Sequence, residues 1–447
     1  MGACNKLIYD AKGKDSVHDR ITLRSEQLEL LRDSRDEVLA HLKPLLADAL
    51  GCEVKHWGQG SYKNHTLIRP ASKYVEYDID VGIYLIADID DLEIQPQNVR
   101  LLCSDILQDF ADDQPRVKSV DDKENCNRVV FLEGFHIDLP VYAFSGTDIQ
   151  LASLESGWIG SDPKAFQDWF DNSIPQGTKP RLRRVLRYFK CWAQLAALDG
   201  CPTIPSIAST VLVANLYEDQ EQEDECLAVT IQAICNELNR DDLEVNNPLT
   251  GQPLLNFTDE EKETLGSFTN KLNDVCTRIL ETDDELEQFV LWGEVFKHFL
   301  PPISGFELDN PDTIANLPAI TNPPSIRVRH FDKKGTQINN GVTNSLTAFK
   351  KESLSFSIEN PESYPSATVI WTVRNNDDQA ELRNDLGHVV KLGVAEIQKE
   401  NCEYNGKHFM DCTIVNGSQI LGVNAVEVTV RPYVRPMRNP PRKKRGP

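Results

Sequence analysis

The chain has 447 residues, of which 69 are acidic and 47 are basic, so its net charge at pH 7 is −22. Such a field repels polyanions, which argues against constitutive binding of duplex nucleic acid over a broad surface. The length exceeds that of one ordinary domain, and a hydrophobic fraction of 40% is sufficient for a sizeable core.

The cysteines and the hydropathy pattern indicate the compartment. The 11 cysteines form no CxxC pair, their number is odd, and the chain is too large to need disulfides, which is typical of a reducing environment. No apolar run approaches the length of a membrane span, and no signal-peptide core follows the start. We therefore expect a cytoplasmic protein without a membrane partner.

Hydrophobic periodicity predicts the elements of the first 300 residues. An amphipathic helix is predicted over residues 16–49, with Gly51 as its C-terminal cap. The acidic residues 219–224 are expected to form a solvated loop. The other predicted elements are strands around 75–85 and 128–141 and helices at 99–110, 179–198, 204–217, 226–238, 259–281 and 285–299.

A boundary follows these elements. Six prolines between residues 301 and 324 predict a stiff linker. Beyond it the apolar period changes to two, and turn signals such as Asn340-Gly341 and Asn416-Gly417 predict a β-sandwich over residues 325–434. The basic, proline-rich tail 435–447 is expected to be disordered.

An acidic pair follows a glycine–serine turn. Gly60 and Ser61 could offer a backbone amide and a hydroxyl to a phosphate, although most such pairs are ordinary turns. Asp78 and Asp80 lie two residues apart in a predicted strand and therefore share one face. Two such carboxylates repel each other unless a cation lies between them. A polar edge strand is the usual explanation for a lone Asp-x-Asp, but the apolar residues around this pair disfavour it.

Asp138 lies in a second apolar strand of the same form. A third carboxylate beside the first two would complete a two-magnesium site, with ions about 3.5–4 Å apart, for an in-line displacement. For Asp138 alone, a buried structural acid paired with an arginine is an equally good explanation. His136 shares its face and fits a packing or supporting role better than that of a ligand.

The predicted helix over residues 179–198 carries a basic stripe. Arg183, Arg187 and Lys190 are spaced four and three residues apart, so they share one face beside an apolar stripe. In an acidic protein this arrangement favours a clamp for a triphosphate. Arg181 and Arg184 are equally well explained as a solvated basic face that pairs with local acids.

Taken together, these motifs resemble the catalytic core of the cGAS/DncV-like nucleotidyltransferases (CD-NTases, also called SMODS nucleotidyltransferases), bacterial relatives of cGAS and the oligoadenylate synthases. The resemblance implies an α+β fold in residues 1–300, with a polymerase-β-like core and a helical half. The matching motifs are Gly60-Ser61 with Thr66, Asp78-Ile79-Asp80, His136-Ile137-Asp138, Leu182 to Trp192, and Pro205 to Ala208.

The same resemblance implies roles for individual residues. Asp78, Asp80 and Asp138 would hold Mg²⁺, or alternatively Mn²⁺, with Asp138 bound to the ion that activates the acceptor 3′-hydroxyl. The residues implied to bind the donor nucleotide are Gln59, Gly60, Ser61, Lys190 and Ser206, with Ser209 as an alternative to Ser206.

The segment 323–433 resembles the AGS-C type of C-terminal sensor domain through residues 370–375 and 412–417. The expected protein is thus a metal-dependent nucleotidyltransferase that joins nucleoside triphosphates into a cyclic or short linear oligonucleotide second messenger. The family further implies a role in bacterial anti-phage defence of the CBASS kind, with an effector protein as partner.

Three other functions stay open at this point. The first is a template-independent polymerase whose linear oligonucleotides regulate an effector, and the second is a nucleotidyltransferase that modifies protein or tRNA. The third is a catalytically silent regulator that binds an effector. The crowding of three acids disfavours the catalytically silent regulator, because a protein without catalysis has no need to keep three repelling carboxylates together.

Overall fold

The computed structural model describes residues 4–11, 15–91, 95–174, 177–303, 322–376 and 378–433. The chain divides into two compact units, Met1–Phe306 and Glu307–Pro447. Most of the predicted linker 301–324 and the whole predicted tail 435–447 lie outside the described residues. Among the helices that are described, none combines the length and the apolar character needed to cross a membrane.

The first unit is built on one eight-stranded sheet. Its order is β3-β4-β5-β2-β6-β7-β8, and β1 pairs with β2 in antiparallel register. β2 runs parallel to both β5 and β6, while β4 is antiparallel to β5. The strands are β1 (Glu53–Gln59), β2 (Tyr77–Asp88), β3 (Val117–Asp122), β4 (Asn127–Phe131), β5 (Phe135–Leu139), β6 (Val141–Ser145), β7 (Asp148–Ser153) and β8 (Gly157–Gly160).

The helices of the first unit cover one face of this sheet and form a separate helical half, in which α7 packs on α8, α9 and α11. They are α1 (Asn5–Ile8), α2 (Val17–Ile21), α3 (Ser25–Leu50), α4 (Gly60–Lys63), α5 (Pro96–Asp113), α6 (Pro163–Ser173), α7 (Lys179–Leu198), α8 (Ser206–Leu216), α9 (Glu223–Leu238), α10 (Asp259–Glu281) and α11 (Glu285–Phe296), followed by a 3₁₀ turn at Lys297–Phe299.

The core of the sheet determines which face carries the acids. Ile79, Val81 and Ile83 of β2 are fully buried in one cluster with Leu42 of α3 and Leu107 of α5. Because side chains alternate along a strand, the residues between them project from the opposite face. The apolar residues of β2 thus pack against α3 and α5, and the face that carries Asp78 and Asp80 points away from these helices.

The single helix predicted over residues 16–49 is wrong, because the chain forms α2 and α3 instead. The Ser16 hydroxyl accepts the Asp19 N–H at 3.2 Å and caps α2, and extended backbone at Thr22 ends it. The break places Leu23 in the core of the sheet, at 5% exposure. Gly51 ends α3 with φ of 64°, so the predicted cap is confirmed.

Two other expectations also fail. The acidic segment 219–224 is not wholly a solvated loop, since α9 begins at Glu223 and both Glu223 and Asp224 are buried. The strand predicted over residues 128–141 is divided among β4, β5 and β6. Gly134 adopts φ of 85° between the first two, a conformation that glycine accepts at little cost.

The second unit contains two sheets, with orders β10-β9-β12-β15 and β11-β17-β16-β13-β14. Its elements are β9 (Ile326–Phe331), β10 (Gln337–Val342), β11 (Ser345–Phe349), β12 (Ser353–Ile358), a 3₁₀ turn (Pro361–Ser363), β13 (Thr368–Asn375), α12 (Asp378–Leu382), β14 (Gly387–Gly393), β15 (Gln398–Asn401), β16 (Gly406–Asn416) and β17 (Gln419–Arg431).

Buried residues from both sheets form one core, as the predicted sandwich requires. Phe356 of β12 and Trp371 of β13 meet there, with ring centroids 6.3 Å apart. Asn416-Gly417 connects β16 to β17 with φ of 61° at the glycine, as expected of a turn. Asn340-Gly341 instead lies inside β10, so that turn prediction is wrong.

Candidate active site

Strand register brings the acidic residues together. In the parallel pair β2–β5, Asp78 is opposite His136 and Asp80 is opposite Asp138. One ligand atom each of Asp78, His136 and Asp138 lie within 4.8 Å of one another. Asp138 is only 8% exposed, so it is not on a solvated face of the sheet.

The charges of the acids act on one another most clearly at Asp80. Burial raises the pKa of Asp80 well above its usual range, and the carboxylates of Asp78 and Asp138 raise it further. Lys190 and Arg128 oppose this rise. A divalent cation would remove the repulsion, and carboxylate oxygens are the ligands that Mg²⁺ and Mn²⁺ prefer. The donor set therefore fits the ions that the sequence motifs imply.

Gly60 allows the closest approach to this group. It opens α4 with φ of 59°, and a β-carbon added there would lie 1.9 Å from Asp80 Oδ2. Only glycine combines that backbone conformation with that contact at no steric cost. The glycine of the Gly60-Ser61 motif is thus a direct packing partner of an acid that follows it in the next strand.

Arg128 of β4 makes a contact that local sequence patterns do not reveal. It lies opposite Asp138 in the antiparallel pair β4–β5. Its Nε and Nη2 donate to the two oxygens of Asp138 at 2.7 and 2.8 Å. Pairing with an arginine was the alternative explanation for Asp138, and the structure combines that pairing with closeness to Asp78.

His136 has a partner behind the acidic group. Its Nδ1 lies 3.1 Å from Glu76 Oε2, at 7% exposure of the histidine. A carboxylate in this position fixes the orientation of the ring.

A second polar cluster lies at the junction of α4, α7 and α8. Lys190 Nζ donates to Ser61 Oγ at 2.8 Å, and Ser61 Oγ lies 3.0 Å from Ser206 Oγ. Lys190 also donates to the Thr66 hydroxyl at 3.3 Å. Burial lowers the pKa of Lys190 to about 8, although Asp78 and Asp80 act in the opposite direction. Three residues predicted from separate motifs therefore meet.

Thr66 belongs to this cluster and was not among the predicted binding residues, although the motif that carries the resemblance contains it. Gln59 faces elsewhere: its amide contacts the hydroxyls of Tyr84 and Tyr142 at 3.2 and 3.3 Å. The Ser209 hydroxyl donates to the Pro205 carbonyl at 3.2 Å. Nucleotide binding by Gln59 or Ser209 stays a prediction.

One cavity of about 390 Å³ is shared by the polar cluster and one of the acids, a volume within the range of small-molecule sites. Its polar lining residues include Ser61, Lys190 and Asp78. The residues that line the rest are Thr66, Leu67, Ile68, Val75, Glu76, Tyr77, Ala193, Gln194, Ala197, Leu198, Thr203, Ile204, Pro205, Ser206 and Ser209. Such a surface suits a phosphorylated ligand with a flat apolar body.

The basic stripe of α7 divides between two environments. Lys190 lines the cavity of about 390 Å³, whereas Arg187 lines a second cavity of about 330 Å³ and Arg183 lies 3.4 Å from Asp171. Of the three residues in the predicted clamp, only Lys190 lines the cavity beside Asp78, and triphosphate binding by Arg183 or Arg187 stays a prediction.

Arg181 and Arg184 pair with acids, as the alternative explanation proposed. Arg184 holds Glu223 through two bonds, at 2.6 and 2.8 Å, and Arg181 lies 3.0 Å from Asp219. These contacts connect α7 to the start of α9, so they stabilise the helical half.

Comparisons with known proteins agree with this geometry. The family model "Cyclic GMP-AMP synthase DncV-like, nucleotidyltransferase domain" matches residues 54–142, and "Adenylyl/Guanylyl and SMODS C-terminal sensor domain" matches residues 307–431. A cyclic GMP-AMP synthase of Escherichia albertii is 34% identical over 435 residues, which are 96% of this chain and 96% of that protein. A cyclic GMP-AMP synthase of Vibrio cholerae is 26% identical over 47% of this chain and 59% of its own length.

Solved structures show the same fold at lower identity. The apo form of Vibrio cholerae DncV aligns with a TM-score of 0.59 at 19% identity, covering 69% of this chain and 99% of that one. Its complex with the linear intermediate 5′ pppA(3′,5′)pG aligns with a TM-score of 0.57 at 19% identity, covering 68% and 98%. With its two matching domains and a relative similar over nearly its whole length, the chain belongs to the cGAS/DncV-like nucleotidyltransferases that carry an AGS-C sensor domain.

Proposed function

We propose that this nucleotidyltransferase joins ATP and GTP into a cyclic dinucleotide, with divalent metal ions held by Asp78, Asp80 and Asp138. The observation that carries the proposal is the parallel register of β2 and β5, which aligns Asp80 with Asp138 beside Ser61 and Lys190. The Escherichia albertii relative named cyclic GMP-AMP synthase supports the choice of substrates.

The polar cluster would bind the donor triphosphate. At neutral pH the Lys190 amine is charged and would neutralise phosphate oxygens, while the Ser61 and Ser206 hydroxyls would donate hydrogen bonds to them. The apolar wall that includes Ile68, Ala193 and Ile204 would face the base or ribose.

The reaction would be an in-line transfer. The 3′-oxygen of the acceptor attacks the α-phosphorus of the donor, a new phosphodiester bond forms, and pyrophosphate leaves. Bound divalent ions would stabilise the charge that develops on the attacking and leaving oxygens. The three aspartates would position those charges, and Gly60 would keep Asp80 close to the backbone that carries Ser61. A second transfer within the linear dinucleotide would close the ring.

The test is product analysis with the full chain, ATP, GTP and Mg²⁺ or Mn²⁺. We expect a compact dinucleotide, resistant to phosphatase and identified by mass spectrometry. The Asp80→Asn variant should form none, while Asp242→Asn, which changes an exposed acid paired with Arg240, should behave like the unmodified chain. Full activity in Asp80→Asn would contradict the proposed mechanism.

The same assay separates the other candidate functions. A ladder of phosphatase-sensitive oligonucleotides would indicate the template-independent polymerase, and labelled protein or tRNA would indicate a modifying enzyme. Absence of turnover, together with a co-purifying effector, would indicate the silent regulator.

We further propose that the product acts as a second messenger in bacterial anti-phage defence and is read by an effector protein. The resemblance of residues 54–142 and 307–431 to the DncV-like and sensor domains supports this role. Expression of the chain with its genomic neighbours in a phage-sensitive bacterium should reduce plaque counts. Plaque counts that are equally low with Asp80→Asn would exclude a role for the catalysed product.

A further inference from the structure

We propose that Arg128 is the counter-ion of Asp138 in the metal-free enzyme, and that a divalent metal ion must compete with it for this carboxylate. This inference rests on the proposed function, because it concerns the metal site of that reaction. Arg128 would thus be a positioning residue: it acts through Asp138 and lowers the affinity of the site for metal.

The geometry builds this contact into the sheet. Arg128 and Asp138 face each other across adjacent antiparallel strands, so no mobile loop is needed to bring them together. Both oxygens of Asp138 accept an N–H from the guanidinium, at 2.7 and 2.8 Å. Each carboxylate oxygen has two lone pairs, so an ion can coordinate Asp138 beside the guanidinium, but the ion draws electron density from the same two oxygens and its charge repels the arginine. Binding of the ion therefore weakens the pairing.

Arg128 and Lys190 lie near the acids, and these two cations differ in their contacts. Lys190 also faces the acidic group, but its amine donates to Ser61 and Thr66. Among the residues that the structure describes, Arg128 is the cation found in direct contact with one of the three aspartates. It thus supplies part of the positive charge that a bound metal ion would bring to these acids.

Exposure shows how the arginine can leave. Its side chain is 26% exposed, whereas that of Asp138 is 11% exposed. The guanidinium can therefore rotate toward solvent while the carboxylate stays in the sheet. Release requires a change of arginine rotamer and no movement of the backbone of β4 or β5.

The test is a titration of the full chain with Mn²⁺ in the absence of nucleotide, followed by electron paramagnetic resonance of the free ion. Arg128→Met removes the competing charge and both hydrogen bonds. We expect it to bind Mn²⁺ about tenfold more tightly than the unmodified chain, the factor that corresponds to about 1.4 kcal/mol and to one charge-assisted hydrogen bond. Its metal-free melting temperature should be lower, and the rise on adding Mn²⁺ should be larger.

Two further variants separate this role from general stability. Arg184→Met removes an arginine that also makes two bonds to a buried acid, Glu223, and should lower the melting temperature without changing Mn²⁺ affinity. Arg128→Lys keeps the charge but cannot make two parallel bonds, so its Mn²⁺ affinity should lie between those of the unmodified chain and Arg128→Met. If Arg128→Met does not fold, tighter Mn²⁺ binding by Arg128→Lys than by the unmodified chain is the result required.

The outcomes for the two proposals differ. Mn²⁺ binding by the unmodified chain, with equal or weaker binding by the Arg128 variants, would overturn this inference and leave the proposed function in place. Absence of Mn²⁺ binding by the unmodified chain and by both Arg128 variants would overturn the metal site of the proposed function together with this inference.

Discussion

Replacement of Gly60 by alanine should remove most of the transferase activity while the protein stays folded. The added β-carbon would lie 1.9 Å from Asp80 Oδ2, whereas ordinary van der Waals contact begins at 3.4 Å. The Asp80 carboxylate must therefore retreat by about 1.5 Å, the difference between these distances. Because a misplacement of about 1 Å can cost about 100-fold in rate, we expect at least that loss.

The same substitution also places alanine at φ of 59°. This left-handed conformation costs an L-residue about 1 kcal/mol, which is a small part of the free energy of unfolding of an ordinary domain. Initial rates of product formation at saturating ATP and GTP measure the first effect, and urea denaturation measures the second.

Gly51 provides a matched control. It has φ of 64° at the end of α3, and nothing lies within 4 Å of the position of an added β-carbon. Gly51→Ala should therefore lose a similar free energy of unfolding and keep its rate. The reasoning is refuted if Gly60→Ala keeps more than half of the unmodified rate, or if Gly51→Ala loses as much rate as Gly60→Ala does.

Three further predictions follow from buried charges. The pKa of Lys190 is about 8, so its amine loses its charge and nucleotide affinity should fall as the pH rises from 7 to 9.5. Lys190→Arg should reduce this pH dependence in a calorimetric titration. An unchanged pH dependence in that variant would contradict the role of Lys190. Folding raises the pKa of Asp80, so this group lowers stability increasingly as the pH rises above its ordinary pKa, and in full above the raised one. Metal-free Asp80→Asn should therefore melt higher than the unmodified chain at pH 7 and equally at pH 3. A lower melting temperature at pH 7 would contradict this. Arg100 is fully buried and donates hydrogen bonds to Asn127 and to three backbone carbonyls. Arg100→Met should therefore lower the free energy of unfolding by about 3 kcal/mol, whereas Arg240→Met, at an exposed position, should have no measurable effect. Equal denaturation midpoints for the two variants would contradict this prediction.

The sequence predicts best what depends on local periodicity. Helices α7 and α10 have the predicted bounds, because long runs with period 3.6 and polar flanks determine both ends. The shared face of Asp78 and Asp80 follows from the period of two in a strand. By contrast, β3 (Val117–Asp122) is short, polar and half-buried, so it carries no alternation from which it could be predicted.

The parts of the site that the sequence did not predict depend on register and rotation. Pairing of Arg128 with Asp138 requires the alignment of β4 with β5, which no pattern within either strand records. Arg187 shares the stripe of Lys190 but faces another cavity, because a helix that packs on several neighbours presents adjacent positions to different surroundings. Gln59 faces buried tyrosines for a similar reason, since its direction is determined by the pairing of β1 with β2.

In the proposed mechanism, carboxylates from two strands form one metal centre. Diffraction from crystals of the full chain grown with Mn²⁺ and a non-reactive ATP analogue, measured at the manganese edge, would locate the ion. We expect anomalous density between Asp78, Asp80 and Asp138, with the triphosphate against Ser61 and Lys190. Manganese at another place, or an occupied nucleotide site whose three aspartates bind no ion, would refute the proposed metal centre.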